Sequence, residues 1–186
     1  ELTTRVEALG RQLRAAAPAP AAPTRPAPAP APAAPLAPAA VPARPTTGAL
    51  QPRDVYQAAY IDFSKGSYSL AIAGFREFLR RYPEHDLAGN AQYWIGEAYL
   101  SLARGYSNAE QTDRASESLN QAVQEFRKVL ANYPRAEKVS AALYKEALAL
   151  IELKQPQQAQ ARLQYLVDNF PQAEETPLAR ERLALA

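Results

Sequence analysis

The sequence predicts an all-α protein built from repeated helix pairs, and three observations predict it. Three segments end alike, in "FREFLRRYP" (75–83), "FRKVLANYP" (126–134) and "LQYLVDNFP" (163–171): an apolar helical stripe, an aromatic and a proline. From Arg53 onward apolar residues recur at helical spacing, and nothing alternates apolar and polar long enough to make a strand. Twelve of the seventeen prolines lie between Pro18 and Pro52, which sets that stretch apart from the rest of the chain. The expected organisation is the end of a coiled coil or amphipathic helix over 1–14, an Ala/Pro-rich disordered linker over 15–52, and a repeat domain over 53–186. That domain should hold about three helix pairs and a capping helix.

Each element has its own reason. In "ELTTRVEALGRQLR" (1–14), Leu2, Val6, Leu9 and Leu13 are spaced 4, 3, 4 with charges on the other faces, which is the a/d spacing of a coiled coil. Two heptads read equally as a lone amphipathic helix or as the end of a longer coiled coil. Because the chain opens at Glu1 inside this pattern and contains no Met, a fragment or processed form is expected. Residues 15–52 cannot build a helix or sheet, since each proline removes a donor and pushes its predecessor away from α. They suit a polyproline II spacer reaching on the order of 100 Å; a Pro-rich ligand is the alternative reading. Beyond them, Asp54 is the expected N-cap, with Pro52 just outside. Val55, Ala58, Ala59 and Phe63 form a first stripe, which Gly66 breaks. Tyr68, Ile72, Phe75, Phe78, Leu79 and Tyr82 form the next, which Pro83 stops.

Anchored on their prolines, the three segments share a small residue twelve positions earlier and a large apolar one eight earlier. These are Ala71, Phe75 and Pro83; Ala122, Phe126 and Pro134; Ala159, Leu163 and Pro171. That is the second half of the tetratricopeptide pattern, a 34-residue helix–turn–helix unit. Counting back places Ala59, Gly96 and Ala147 where the partner helix should be small enough for two backbones to approach. The spacing from Pro134 to Pro171 is 37 and from Pro83 to Pro134 is 51. Both allow three extra residues in the inter-repeat loop, and the second unit carries 14 more between Gly96 and Ala122. Ala115, Leu119, Ala122, Val123, Phe126, Val129, Leu130 and Tyr133 keep one helical stripe. The expected accommodation is a long second helix from about Thr112, an N-cap candidate, with a loop around "RGYSNAEQ" standing proud. Leu178, Leu183 and Leu185 read as the capping helix that such an array requires.

Chemistry is sparse. From Arg53 onward there are sixteen basic and seventeen acidic residues, so the basic excess that phosphate binding requires is missing. The chain has no Cys, which removes disulfides, thiolate metal sites and a cysteine nucleophile. The single histidine, His85, has no second His to pair with and reads as a solvated turn residue. No paired carboxylate burial is evident, and the seven glycines are isolated. No enzyme, cofactor or metal site is expected.

Repeat arrays bind partners along a groove lined by their first helices. One turn before the crossing residues, equivalent positions hold Tyr56, Tyr93 and Tyr144, with Tyr60, Glu97 and Leu148 four residues on. A tyrosine ladder in the groove, with Tyr60, Asn90 and Glu97 beside it, is the expected partner-binding site. Tyrosine suits it because its large contact area ends in a polar tip. The alternative is that these rings pack between repeats, and Trp94 is a candidate to pack inward.

The run "YQAAYIDFSKGSYSLAIAGFREFLRRYPEHDLAGNAQYWIGEAYLSL" (56–102) resembles the CpoB/YbgF family of periplasmic Tol-Pal-associated cell division coordinators. The resemblance rests on the spacing of "AYIDFSKGSYSLAIAGF", on "YP" and on "NAQYWIGEAY". The order of coiled-coil end, low-complexity linker and tetratricopeptide domain also matches. The resemblance implies a periplasmic protein made with a signal peptide and trimerised by its coiled coil. It further implies binding to a TolA-like protein and to a bifunctional penicillin-binding peptidoglycan synthase, coupling outer-membrane constriction to septal wall synthesis. The 14-residue insertion departs from the family's tight "GDY"-like turn. The competing resemblance is to a lipoprotein subunit of the outer-membrane β-barrel assembly machinery, which has similar repeats and a longer second unit.

Overall fold

A computed structural model describes residues 51–185. The expectations for 1–14 and for most of 15–52 lie outside these residues. Among the described residues seven helices follow one another: α1 (Pro52–Ser64), α2 (Tyr68–Arg81), α3 (Ala88–Asn108), α4 (Thr112–Asn132), α5 (Val139–Glu152), α6 (Pro156–Asn169) and α7 (Thr176–Ala184). Each packs on the next. The first six form three antiparallel pairs and α7 closes the last, so the all-α tetratricopeptide-like array is present as expected.

Two kinds of connection repeat three times. Between pairs, six residues connect the helices: 82–87, 133–138 and 170–175. The residue before each proline leaves the helix with nearly one geometry, φ/ψ −133/56 at Tyr82, −132/56 at Tyr133 and −129/56 at Phe170. Its N–H still bonds back to Phe78, Val129 or Leu166, and its carbonyl accepts from the residue three on. A following proline disfavours α geometry at that residue, which sets the exit. Within pairs, three residues suffice, with the middle one left-handed: Gly66 (φ 78), Glu110 (φ 58) and Lys154 (φ 60). Glycine adopts that region without steric cost, while the other two carry a Cβ there.

The 14 extra residues do not form a protruding loop. Helix α3 continues through Gly105 to Asn108, and the same three-residue turn joins it to α4. Both helices are 21 residues long, against 14 in α2, α5 and α6. The insertion is therefore divided seven and seven. Seven residues are close to two turns, about 10 Å of rise, so each helix face is kept and the pair grows lengthwise. Gly105 is exposed and a Cβ there would meet nothing; a glycine costs such a helix only about 1 kcal/mol.

Other details differ from expectation. Pro52 is the first residue of α1, Gln51 is its cap, and Asp54 sits in the first turn; proline is tolerated there because that N–H has no helical partner. Gln111, not Thr112, is the cap of α4. In α7 the packed side is Thr176, Ala179 and Leu183, while Leu178 and Leu185 are exposed. Ala58 is exposed.

The core follows the anchors. Ala71, Phe75, Ala122, Phe126, Ala159 and Leu163 are buried, as are Ala59, Gly96 and Ala147. Gly96 faces the Phe126 ring so closely that a Cβ would lie 2.6 Å from Cε1. Phe78 is fully buried and Leu79 half-buried against the same cluster.

Candidate partner-binding groove

The first helices of successive pairs also touch one another, α1 on α3 and α3 on α5, whereas second helices meet the next pair mainly through its first helix. The first-helix layer is thus the tighter, inner one, and its outward row forms the candidate groove. Tyr60 is its most open ring, at 36 % exposure. Tyr56, Glu97, Tyr144 and Leu148 are half-buried along the same layer.

Trp94 organises the upper part. Its Nε1–H donates to the Tyr56 hydroxyl at 2.9 Å. Its ring lies 5.1 Å from Tyr60 and 5.0 Å from Phe63, centre to centre. Tyr56 in turn sets its edge against Phe75 and Phe78, at 5.4 and 5.6 Å. The sequence pattern singles out the tyrosines and leaves this indole as an inward candidate; it is in fact the bridge between α1 and α3. Burial raises the Tyr56 phenol above its usual range, and the Trp94 donor opposes that rise.

Tyr93 corrects the ladder. It is 7 % exposed, wedged against Phe126 at 5.7 Å, with Lys138 Nζ 5.6 Å from its ring centre. Burial first, then the neighbouring Glu97 carboxylate, drives its phenol well above the ordinary tyrosine range. The crossing in this pair uses glycine at 96 and admits a whole ring at 126, and the Tyr93 ring fills the space alongside. Tyr93 therefore holds the seam, and the open rings are Tyr60 and, more partially, Tyr144. Glu97 carries an ion pair across to the next helix: Lys145 Nζ lies 2.9 Å from Oε1 and donates to Oε2 at 3.2 Å.

Asn90 stands apart from that row. It lines a cleft of about 690 Å³ between the first two proline turns, with Glu84, Asp86, Tyr133, Arg135 and Glu137. His85, expected to be solvated, is half-buried there; its Nδ1 accepts from the Leu87 N–H at 3.1 Å and its ring sits edge-on to Phe78. The imidazole thus stabilises the turn.

Two buried carboxylates are not evident from the sequence. Glu125, in α4, accepts from Gln92 at 2.6 Å, from Lys128 at 3.1 Å and from Arg76 of the preceding pair at 3.2 Å. Glu146, in α5, accepts from Arg127 of the preceding pair at 2.7 Å and from Arg162 at 2.9 Å. Arg76 and Arg127 each follow an anchor phenylalanine, and Glu125 and Arg162 each precede an anchor. The repeated "FR" is the available signal. What hides the second clamp is that its carboxylate lies in α5, while the position before the anchor in α6 is arginine.

Stacked antiparallel pairs, proline-stopped second helices and an inner row of first helices define a tetratricopeptide-type repeat protein. The chain belongs to the family described as YfiO, outer membrane lipoprotein, which matches residues 41–186. It is also CpoB-like: it is similar to the Cell division coordinator CpoB of Pseudomonas putida, in strain KT2440 and in a second sequence of that species, each 41% identical over 64 residues. That match takes in 31% of this chain and 23% of each relative, so the chain spans about a quarter of the length of the curated relatives it matches.

Proposed function

We propose that the chain is a periplasmic protein–protein adaptor of the Tol-Pal system. In this reading it coordinates outer-membrane constriction with septal peptidoglycan synthesis during cell division. The observation that carries it is the inner row running from Tyr60 past the Glu97–Lys145 pair to Tyr144 and Leu148, a partly open aromatic and polar surface on three stacked helices. The similarity to cell division coordinators supports the setting. Partners would be a TolA-like protein and a bifunctional penicillin-binding peptidoglycan synthase. Residues 1–14 would trimerise the longer protein, 15–52 would act as spacer, and 53–186 would bind. Nothing in the row suggests catalysis; among the described residues no cluster of His, Cys, Asp or Glu could hold a metal, and no helix is long and apolar enough to cross a membrane.

The test is a titration with the periplasmic domain of a TolA-like protein. Replacing Tyr60 and Tyr144 together by Ala should weaken binding about tenfold or more, as expected for paired aromatic anchors. Unchanged affinity with intact helicity would sink the groove assignment. The alternative is a lipoprotein subunit of the outer-membrane β-barrel assembly machinery, favoured by the description of the matching family. A diacylglyceryl group in the intact mass of the protein purified from cells, with barrel-assembly subunits co-purifying, would select it.

A further inference from the structure

In α3 and α5 the side turned toward the preceding pair is covered, by α2 and by α4. Ala91, Ile95 and Ala98 are buried in α3, and Ala142, Glu146 and Ala149 in α5; Leu102 and Leu153 at the ends are half-buried. The same four positions in the first pair are Asp54, Ala58, Ile61 and Lys65, and all four are exposed. Ile61 is 41 % exposed where its counterparts are fully covered. Neither Asp54 nor Lys65 makes a side-chain hydrogen bond or ion pair among the described residues.

The order of these residues is self-complementary. They are spaced 4, 3, 4 along about 16 Å of helix, with an acid at the N-terminal end and a base at the C-terminal end. A two-fold axis midway between residues 59 and 60 would set a second α1 antiparallel on the first. Asp54 then faces Lys65 of the other copy, and the small Ala58 faces the large Ile61, twice over. Isologous contacts require such self-matching, whereas a parallel or head-to-tail arrangement would oppose like charges or leave Ile61 unmatched. We infer that the open face of α1 is a docking surface for α1 of a second copy of this chain, in antiparallel register. The contact is small, so it is a weak association. It is independent of the groove and stands or falls separately from the proposed function.

The absence of Cys makes the register directly testable in the full chain. One chain carrying Asp54→Cys is mixed with another carrying Lys65→Cys, at concentrations on the order of hundreds of micromolar where weak interfaces register, and oxidised mildly. The cross-pair, 54 to 65, should exceed either self-pair several-fold. Ile61→Asp added to both chains should reduce all products to the random-collision level, with helicity unchanged because the side chain is exposed. Random proportions at the outset, dominance of either self-pair, or a cross-pair that survives Ile61→Asp would each overturn the inference. An association through residues 1–14 alone would give one of those results.

Discussion

The two seams of the array solve one packing problem with different chemistry. At each seam the residue two before the crossing position, Trp94 in α3 and Lys145 in α5, reaches back to the preceding first helix. Trp94 lands on Tyr60 with a ring-to-ring contact of 5.1 Å, and Lys145 lands on Glu97, at the equivalent place, with an ion pair of 2.9 Å. Each seam also has a guanidinium reaching forward, Arg76 to Glu125 and Arg127 to Glu146, but the carboxylate comes from the second helix at one and from the first helix at the other. The repeats share geometry and not partners. A first pair could not be stacked in place of a third without leaving an indole or a carboxylate unmatched.

The contrast can be broken most sharply at Trp94. Trp94→Ala should cost about 3 kcal/mol, the low end for a large core ring because part of the indole is exposed. Circular dichroism during urea unfolding would measure it, and hydrogen exchange should quicken in α1 and α2 while α5 to α7 keep their protection. Uniform acceleration would show that the seams are one cooperative unit. Glu146→Ala comes next, at about 2 kcal/mol. It strands two guanidinium groups, but each is about a third exposed and recovers water, which keeps the loss below that of a fully buried cluster. The exchange pattern should be the reverse, with α5 and α6 loosened first.

A further handle is pH. Three phenols, Tyr56 in α1, Tyr93 in α3 and Tyr133 at the end of α4, are raised above the ordinary tyrosine value, burial being the main cause in each. A raised folded value means that the unfolded chain loses its proton first. Stability from these groups is then complete below about pH 10 and falls as pH rises beyond it, by up to about 1.4 kcal/mol per pH unit for each fully shifted phenol. Tyr93→Phe should flatten that decline between pH 10 and 11 relative to the parent; an unchanged slope would remove Tyr93 as its source. The smallest effect is expected from Lys145→Ala, about 0.5 kcal/mol for a partly exposed ion pair. A loss rivalling that of Trp94 would erase the distinction between the seams.

The fold was largely legible because its determinants are local. Proline at 83, 134 and 171 dictates each exit, and Ala71, Ala122 and Ala159 mark each close contact, so three anchors located six helices. The turn at 109–111 was not legible, because Gly105 imitates the helix breaker at Gly66 and Glu110 gives no sign of a left-handed backbone. The candidate groove was legible as a row and not in its exposures. Whether Tyr93 is open depends on the room left by Gly96 beside Phe126, and that distance is set by two helices meeting. Glu125 and Glu146 were invisible for a similar reason: a helix face does not say which guanidinium from a neighbouring pair will arrive.

The lengthened middle pair has a consequence for how such a chain can change. Seven residues rotate a helix by about 700°, within about 20° of two whole turns. A gain or loss shared equally by both strokes of the hairpin therefore leaves Gly96, Phe126 and everything below them in phase, and the same three-residue bend simply moves outward. A shift of two or of five residues in one stroke alone would turn that helix by about 200° or 500° and bring the bend back on the wrong side. Length in this array can thus change in matched steps, the height of a single pair varying while its neighbours are preserved.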